Sequence, residues 1–528
     1  MRRNPPTLSM SVLLILFLAG AVPARNADEL KINPLQLVSL REARNICRTL
    51  GDEFYPQWDF AGTPVLFYRP NVQELLINYP HRPEGFSIYR GFSPLAGEII
   101  YVRNGATTFA IDDQNTSTQI EGIPVLVVAD YFSRMRNQLR ATMENYDKEF
   151  INKWLDDWNF IPSPYSEIEM ILHEGFHVFQ DKMAPQKYAN EALVAGYPLL
   201  DPVNNALYAL EGAILRDALL AGDAPAKREK TREFVAVRAH RQSLLKKEIA
   251  EYENLNEYVE GTAKYVEYKF MKTGEKVTPL PEMYYQNGFN GYKGVLAGQF
   301  ANEIADMEKI VSVSDDRFGN KFGAGPMRYR LYYLGACQAL LLDESAPGWK
   351  AKIFTDGVYL GDLLKAAVKL SPREMKTYLE KAKADYDYGR IYQDKLLFAR
   401  EGKNRIQDKL NAILNTKNTL VTISYARLGD KLGMSYTPFG VTQVSEGAAI
   451  YDLVPIEVRF NDKTALKLKK TIAVYIDKIN KKITFAVAAP VLVLASYPGD
   501  VLETEEFVLS NVSAGTRQDD HHIEILLK

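Results

Sequence analysis

The hydrophobic pattern predicts an α+β chain, with a small β-rich lobe at about residues 60–130, a helical region at about 132–413 and a β-rich C-terminal domain over 415–528. Three observations carry this. Runs with a period of two (TPVLFY, GEIIYVRN, TTFAID, IPVLVVAD) follow one another early, separated by turn-rich pieces such as PHRPEG and DDQNTS. The spacing then becomes helical, and beyond residue 415 a period of two returns in LVTISY, DLVPIEVRF, TIAVYID, ITFAVA and EEFVLS. A third sign is a capping box at Ser371-Pro372-Arg373-Glu374, which marks a helix start inside the middle region.

The N-terminal end reads as an address rather than as structure. Arg2 and Arg3 precede an apolar run from Leu8 to Val22, and Val22-Pro23-Ala24 offers a cleavage site after Ala24. Residues 1–24 are therefore expected to be a signal peptide, the protein secreted or periplasmic, and the mature chain free of a membrane span. An uncleaved N-terminal anchor is the bland alternative. Residues 34–49 then have helical spacing and open the folded region, 28–414.

Composition narrows the partners. The 528 residues are 46% hydrophobic and 25% charged, ample for a core. Sixty-four basic residues nearly balance 66 acidic ones, so no broad positive field attracts nucleic acid. The two cysteines, Cys47 and Cys337, each sit in an apolar helical pattern. That setting favours buried thiols over the alternative, a disulfide spanning most of the folded region.

The stretch ILHEGFHVFQD (171–181) carries the chemistry. Ser166-Glu167-Ile168-Glu169 resembles a capping box, and Pro185 should end the helix it starts. Ile168, Leu172, Gly175, Phe176 and Phe179 make its buried stripe, while His173 and His177 project together from another side. Two imidazoles one turn apart can clasp one tetrahedral ion, Zn2+ being the expected one. Glu174 points about 100° away from His173, which suits a general base better than a ligand.

The third ligand must be a carboxylate. His81 lies in a turn, His240 in a basic helix and His521-His522 near the C-terminal end, and no three-histidine extension follows His177. Glu260, in NEYVEGTAKYVEY, borders an apolar helical face and precedes Gly261, whose lack of a side chain lets helices approach; it is preferred. Glu211, in LYALEGAILRDALL, is the runner-up, its bland alternative being a local pair with Arg216.

The HEGFH and NEYVEGTAKY segments resemble the gluzincins, the HExxH-plus-glutamate zinc metallopeptidases. The resemblance covers about a hundred residues and implies a small β-sheet lobe with an edge strand for substrate, the HExxH helix and a mostly helical second lobe. It implies a peptide or protein substrate, with His173, His177 and Glu260 on the zinc and Glu174 as base. The chain departs from the thermolysin-like pattern at Lys264, where those enzymes carry an acid that orients a zinc histidine. Glu257 or Glu211 is then the expected orienting group.

An oxyanion donor is sought in MRYRLYYLGACQALLLDE, where Tyr332 is preferred over Tyr333 and Tyr329, and Gly335 offers a close-packing point. GEIIYVRN and IPVLVVAD are candidates for a substrate-binding edge strand, a plain core strand being the favoured bland alternative for each. The WDFAGTPVLFY and YPHRPEGF loops are expected around a cleft. Two other readings compete: a zinc hydrolase acting on a non-peptide amide or ester, and a secreted binding protein whose C-terminal domain engages a partner or cell-wall component.

Overall fold

The computed structural model describes residues 29–134 except 96, 106–114 and 132, residues 163–428 except 315–320, and residues 432–527 except 438–439, 491–500 and 518. The expected signal peptide and the TTFAID run lie outside these residues. The described chain is mixed α and β, a helical region followed by β-sheets. No helix among the described residues is long and apolar enough to cross a membrane.

Helix α1 (Pro34–Phe54) opens the fold, capped by the Asn33 side chain. Six strands follow: β1 (Val65–Arg69), β2 (Gln73–Ile77), β3 (Ser87–Ile88), β4 (Ile100–Asn104), β5 (Thr116–Ile120) and β6 (Ile123–Ala129). They form one sheet in the order β3-β4-β2-β1-β6-β5, with β1 and β6 parallel and the other pairs antiparallel. One face, including Phe67, Leu75, Val102 and Val128, joins the main core.

The sheet makes both candidate edge strands core strands. Both GEIIYVRN (β4) and IPVLVVAD (β6) are paired on two sides, and among the described residues the edge beside the helical region is β5, whose first residues, Thr116 and Ser117, belong to the supposed turn DDQNTS. Glu121 and Gly122, at φ 48° and 79°, make the two-residue left-handed turn that folds β5 back on β6 with Ile120 opposite Ile123. Thr, Ser and Gln residues on β5 hide the alternation from a hydrophobic reading.

Helix α2 (Pro164–Met183) carries the HExxH residues and packs on β5, β6 and α1. Its N-cap is Ser163, not Ser166: the Ser163 hydroxyl accepts from the Ser166 amide, and Pro164 takes the first helical position. The WDFAGTPVLFY loop supports this helix from behind. Phe60 lies against Gly175 where a side chain would otherwise stand, and Trp58 packs edge-on to Phe176 at 5.3 Å.

Helices α3 (Pro202–Leu220), α4 (Ala224–Ser243) and α5 (Lys247–Asn256) lead to a five-residue π-helical turn, Glu257–Gly261, that runs into α6 (Thr262–Thr273). After α7 (Leu296–Val311), α8 (Ala324–Ser345) crosses the π turn. Gly261 and Gly335 meet there backbone to backbone; a Cβ on Gly335 would stand 2.5 Å from the Glu257 carbonyl oxygen. Gly261 thus admits α8 rather than the HExxH helix, while Gly335 is the close-packing point expected of it.

The predicted capping box at Ser371 is present, starting the helix Pro372–Asp385. After the long helix Tyr388–Leu414, seven-stranded and five-stranded sheets enclose a second core, with Phe485 of one sheet edge-on to Phe507 of the other at 5.3 Å. Strand His522–Leu527 lies inside the larger sheet, parallel to Thr419–Ser424 on one side and antiparallel to Val512–Arg517 on the other. Cys47 and Cys337 are both free and buried, as their apolar settings suggest.

Because the Gly261–Gly335 contact leaves no room for a methyl group, Gly335→Ala is expected to destabilise the fold by about 1–3 kcal/mol, an overpacking cost. A lowered midpoint in thermal or urea unfolding would register it, whereas Gly51→Ala, where a Cβ meets nothing within 4 Å, should change little.

Candidate metal centre

His173 and His177 leave α2 one turn apart and face Glu260 on the π turn. The three donor atoms lie within 4.8 Å of one another, and each histidine Nε2 is 3.5 Å from the same Glu260 oxygen, Oε2. Donors on a tetrahedral ion with bonds of about 2.0–2.1 Å stand about 3.3 Å apart. This buried cluster could hold a metal ion.

The tautomers are set by neighbours. His173 Nδ1 donates to Glu267 Oε1 at 2.6 Å, and His177 Nδ1 donates to Gln180 Oε1 at 2.7 Å. The Gln180 amide cannot be turned round, because its NH2 group donates to the carbonyls of Tyr258 and Val259, both at 3.0 Å, which only accept. With both Nδ1 atoms used as donors, it is the Nε2 atoms that face Glu260, carrying protons that a metal ion would replace. Gln180 also ties α2 to the turn carrying the third donor.

The orienting groups differ from the expected ones. Glu267, seven residues beyond Glu260 and so on the same helix face, takes the place expected of Glu257 or Glu211. Lys264 lies behind it, pairing with Glu267 at 2.6 Å and Glu303 at 3.0 Å. Glu211 is spent on Arg238 and Arg241, at 3.1 and 2.7 Å, and Glu257 pairs with Arg238 and Gln338. Arg216 pairs with Asp217 and Glu308 rather than with Glu211. The remaining histidines include His81, which pairs with Glu121, and His522, which sits in a strand against Thr422.

A cleft of about 760 Å³ opens over the three donors. Glu174 lines it half-buried, and one wall is edge strand β5 through Thr116 and Ser117, preceded by Asn115. Tyr329 and Tyr332 also line it, while Tyr333 packs against Lys264 and Tyr268. The Tyr332 ring is nearly parallel to His173 at 5.9 Å, and its hydroxyl accepts from Arg328 at 2.7 Å. Burial and the charge of Glu260 push the Tyr332 phenol well up, so it stays a neutral hydroxyl.

Arg328 was not singled out in the sequence, nor were Gln180 and Glu267 as orienting groups. The spacing of Gln180, three residues after His177, and of Glu267, seven after Glu260, was the available signal; Arg328 depends on which face of α8 meets the cleft. No family model matches this chain, and comparison with curated proteins and with solved structures gives no match either.

Burial alone would lower the pKa of His173, but its hydrogen bonds to the Glu260 and Glu267 carboxylates outweigh burial and push it up to about 10. Burial likewise opposes protonation of His177, and Glu260 overrides it and raises that pKa too. A cation must therefore displace protons, so uptake should tighten as pH rises, roughly tenfold per pH unit for each proton released. Competition with a chromophoric chelator between pH 6 and 8 measures this; an affinity independent of pH would contradict it. Glu267→Ala should weaken metal binding by about 10–100-fold in the same assay, as loss of an orienting partner does.

Proposed function

We propose that the chain is an exported zinc-dependent hydrolase, secreted or periplasmic, that cleaves peptide bonds. The observation that carries this reading is the pairing of two tautomer-fixed imidazoles with Glu260 at the base of a cleft that also holds Glu174 and the side of an edge strand. The nitrogen–oxygen donor set suits zinc, and three protein donors leave a corner for water, the pattern of catalytic sites. A zinc ion so held supplies Lewis acidity, polarising a carbonyl and acidifying a bound water.

The chain's own residues do the rest. Glu174, at the cleft wall beside the two imidazoles, takes a proton from the attacking water and returns it to the leaving amine. The neutral Tyr332 hydroxyl lines the same cleft, where it can donate to an oxygen that gains charge. Among the described residues β5 has no partner strand on its outer side, and such an edge offers backbone groups to an extended chain, which favours a peptide over a compact amide or ester.

Glu174→Gln should bind zinc in the same stoichiometry as the wild type and lose about 10²–10⁴-fold in turnover. His177→Ala should lose the metal itself. Elemental analysis together with hydrolysis of an internally quenched peptide library, with and without chelator, measures both. Wild-type hydrolysis by Glu174→Gln would refute the mechanism. Chelator-sensitive cleavage of small esters or amides, with no peptide cleaved, would turn the assignment to the non-peptide reading.

A further inference from the structure

The two oxygens of Glu260 are treated differently. Oε2 faces both imidazoles, 3.5 Å from each Nε2, while Oε1 accepts from an Arg328 guanidinium nitrogen at 2.7 Å. The other two faces of that guanidinium are also committed, Nη1 to the Tyr332 hydroxyl at 2.7 Å and Nε to Glu191 Oε1 at 3.2 Å. Glu191 in turn is held through its second oxygen, which accepts from Tyr252 at 2.8 Å. A planar fork with all three edges engaged has little freedom to turn.

We infer that Arg328 is a positioning residue that keeps Glu260 a one-oxygen ligand. This rests on the metal-binding reading of the site. A carboxylate beside a divalent ion can chelate with both oxygens, which adds a fifth donor and closes the corner needed by water. Here the charge-assisted hydrogen bond to Oε1 competes with that second contact. The same guanidinium donates through Nη1 to the Tyr332 phenol oxygen, so the hydroxyl proton points away from it, and the Glu260 carboxylate is an acceptor within reach of that proton. Arg328 thus holds one oxygen of the ligand, and Arg328 and Glu260 together hold the tyrosine hydroxyl.

Cobalt substitution tests this without reference to turnover, since four-coordinate Co2+ absorbs visible light more strongly than five-coordinate Co2+ and geometry is diagnostic for the ion. Wild type should take up one Co2+ with an intense four-coordinate spectrum. Arg328→Gln, checked for folding by its circular dichroism melt, should bind one Co2+ with a clearly weaker visible band, and Arg328→Lys, which restores a cation beside Oε1, should recover intensity.

A variant band as intense as that of wild type would overturn the role of Arg328 while leaving the metal site intact. Absence of any Co2+ or Zn2+ uptake by wild type would overturn both. If Arg328→Gln fails to fold, Arg328→Met fills similar volume without a charge and takes its place. Independently of any variant, X-ray absorption of the wild-type zinc protein should give four light donors at about 2.0 Å; five or more would refute the inference.

Discussion

The contact between Gly261 and Gly335 is the constraint on which the centre depends. Two backbones can come this close only where neither carries a side chain, and the approach fixes α8 across the turn that holds Glu260. The extra residue of the π turn changes the pattern of carbonyl bonding, as such insertions do at functional sites. Gln180 and Thr262 take up the Tyr258 carbonyl, and Gln180 takes that of Val259. The side chain that fixes the His177 tautomer therefore also clamps the turn presenting the carboxylate. Helix geometry, ligand direction and proton placement are coupled at a few atoms.

Behind this contact stands a second, wholly buried polar layer. Arg241 lies between Glu211 and Glu253 and over the Tyr208 ring at 3.6 Å, and Arg238 joins Glu211 to Glu257. Burial would raise the Glu253 pKa, but Arg241 outweighs it and brings it down to about 2. Such a network adds little net stability against an apolar core, yet removing one partner strands a buried charge, which costs about 3–5 kcal/mol. Its structural effect is to lock α3, α4 and α5 to one another beneath the π turn, so that the turn rests on a stiff base.

Much of the centre was legible because its chemistry is local. His173, Glu174 and His177 share one helix, and their spacing states their geometry; Glu260 needed one further step, the glycine beside it. Alternation and periodicity likewise revealed β1, β4, β6 and the helical middle, since apolar residues there recur at the structural period. The helix start at Ser163 was misplaced because Ser166 copies its chemistry three residues on. Strand β5 was missed because its side chains are polar on both faces, leaving the Glu121-Gly122 turn as its one sign. The roles of Glu267 and Arg328 arise from packing between segments dozens of residues apart, where a single sequence carries no register.

The placement of strand His522–Leu527 inside the larger C-terminal sheet bears on biosynthesis. Its partner Thr419–Ser424 is made about a hundred residues earlier and must wait, one edge of its backbone unpaired, until the later strand emerges. The sandwich can therefore close only after translation has passed residue 527, and hydrophobic edges stay open throughout. Until then the module carries an open strand edge, the feature through which incompletely folded sheets pair with the wrong chain.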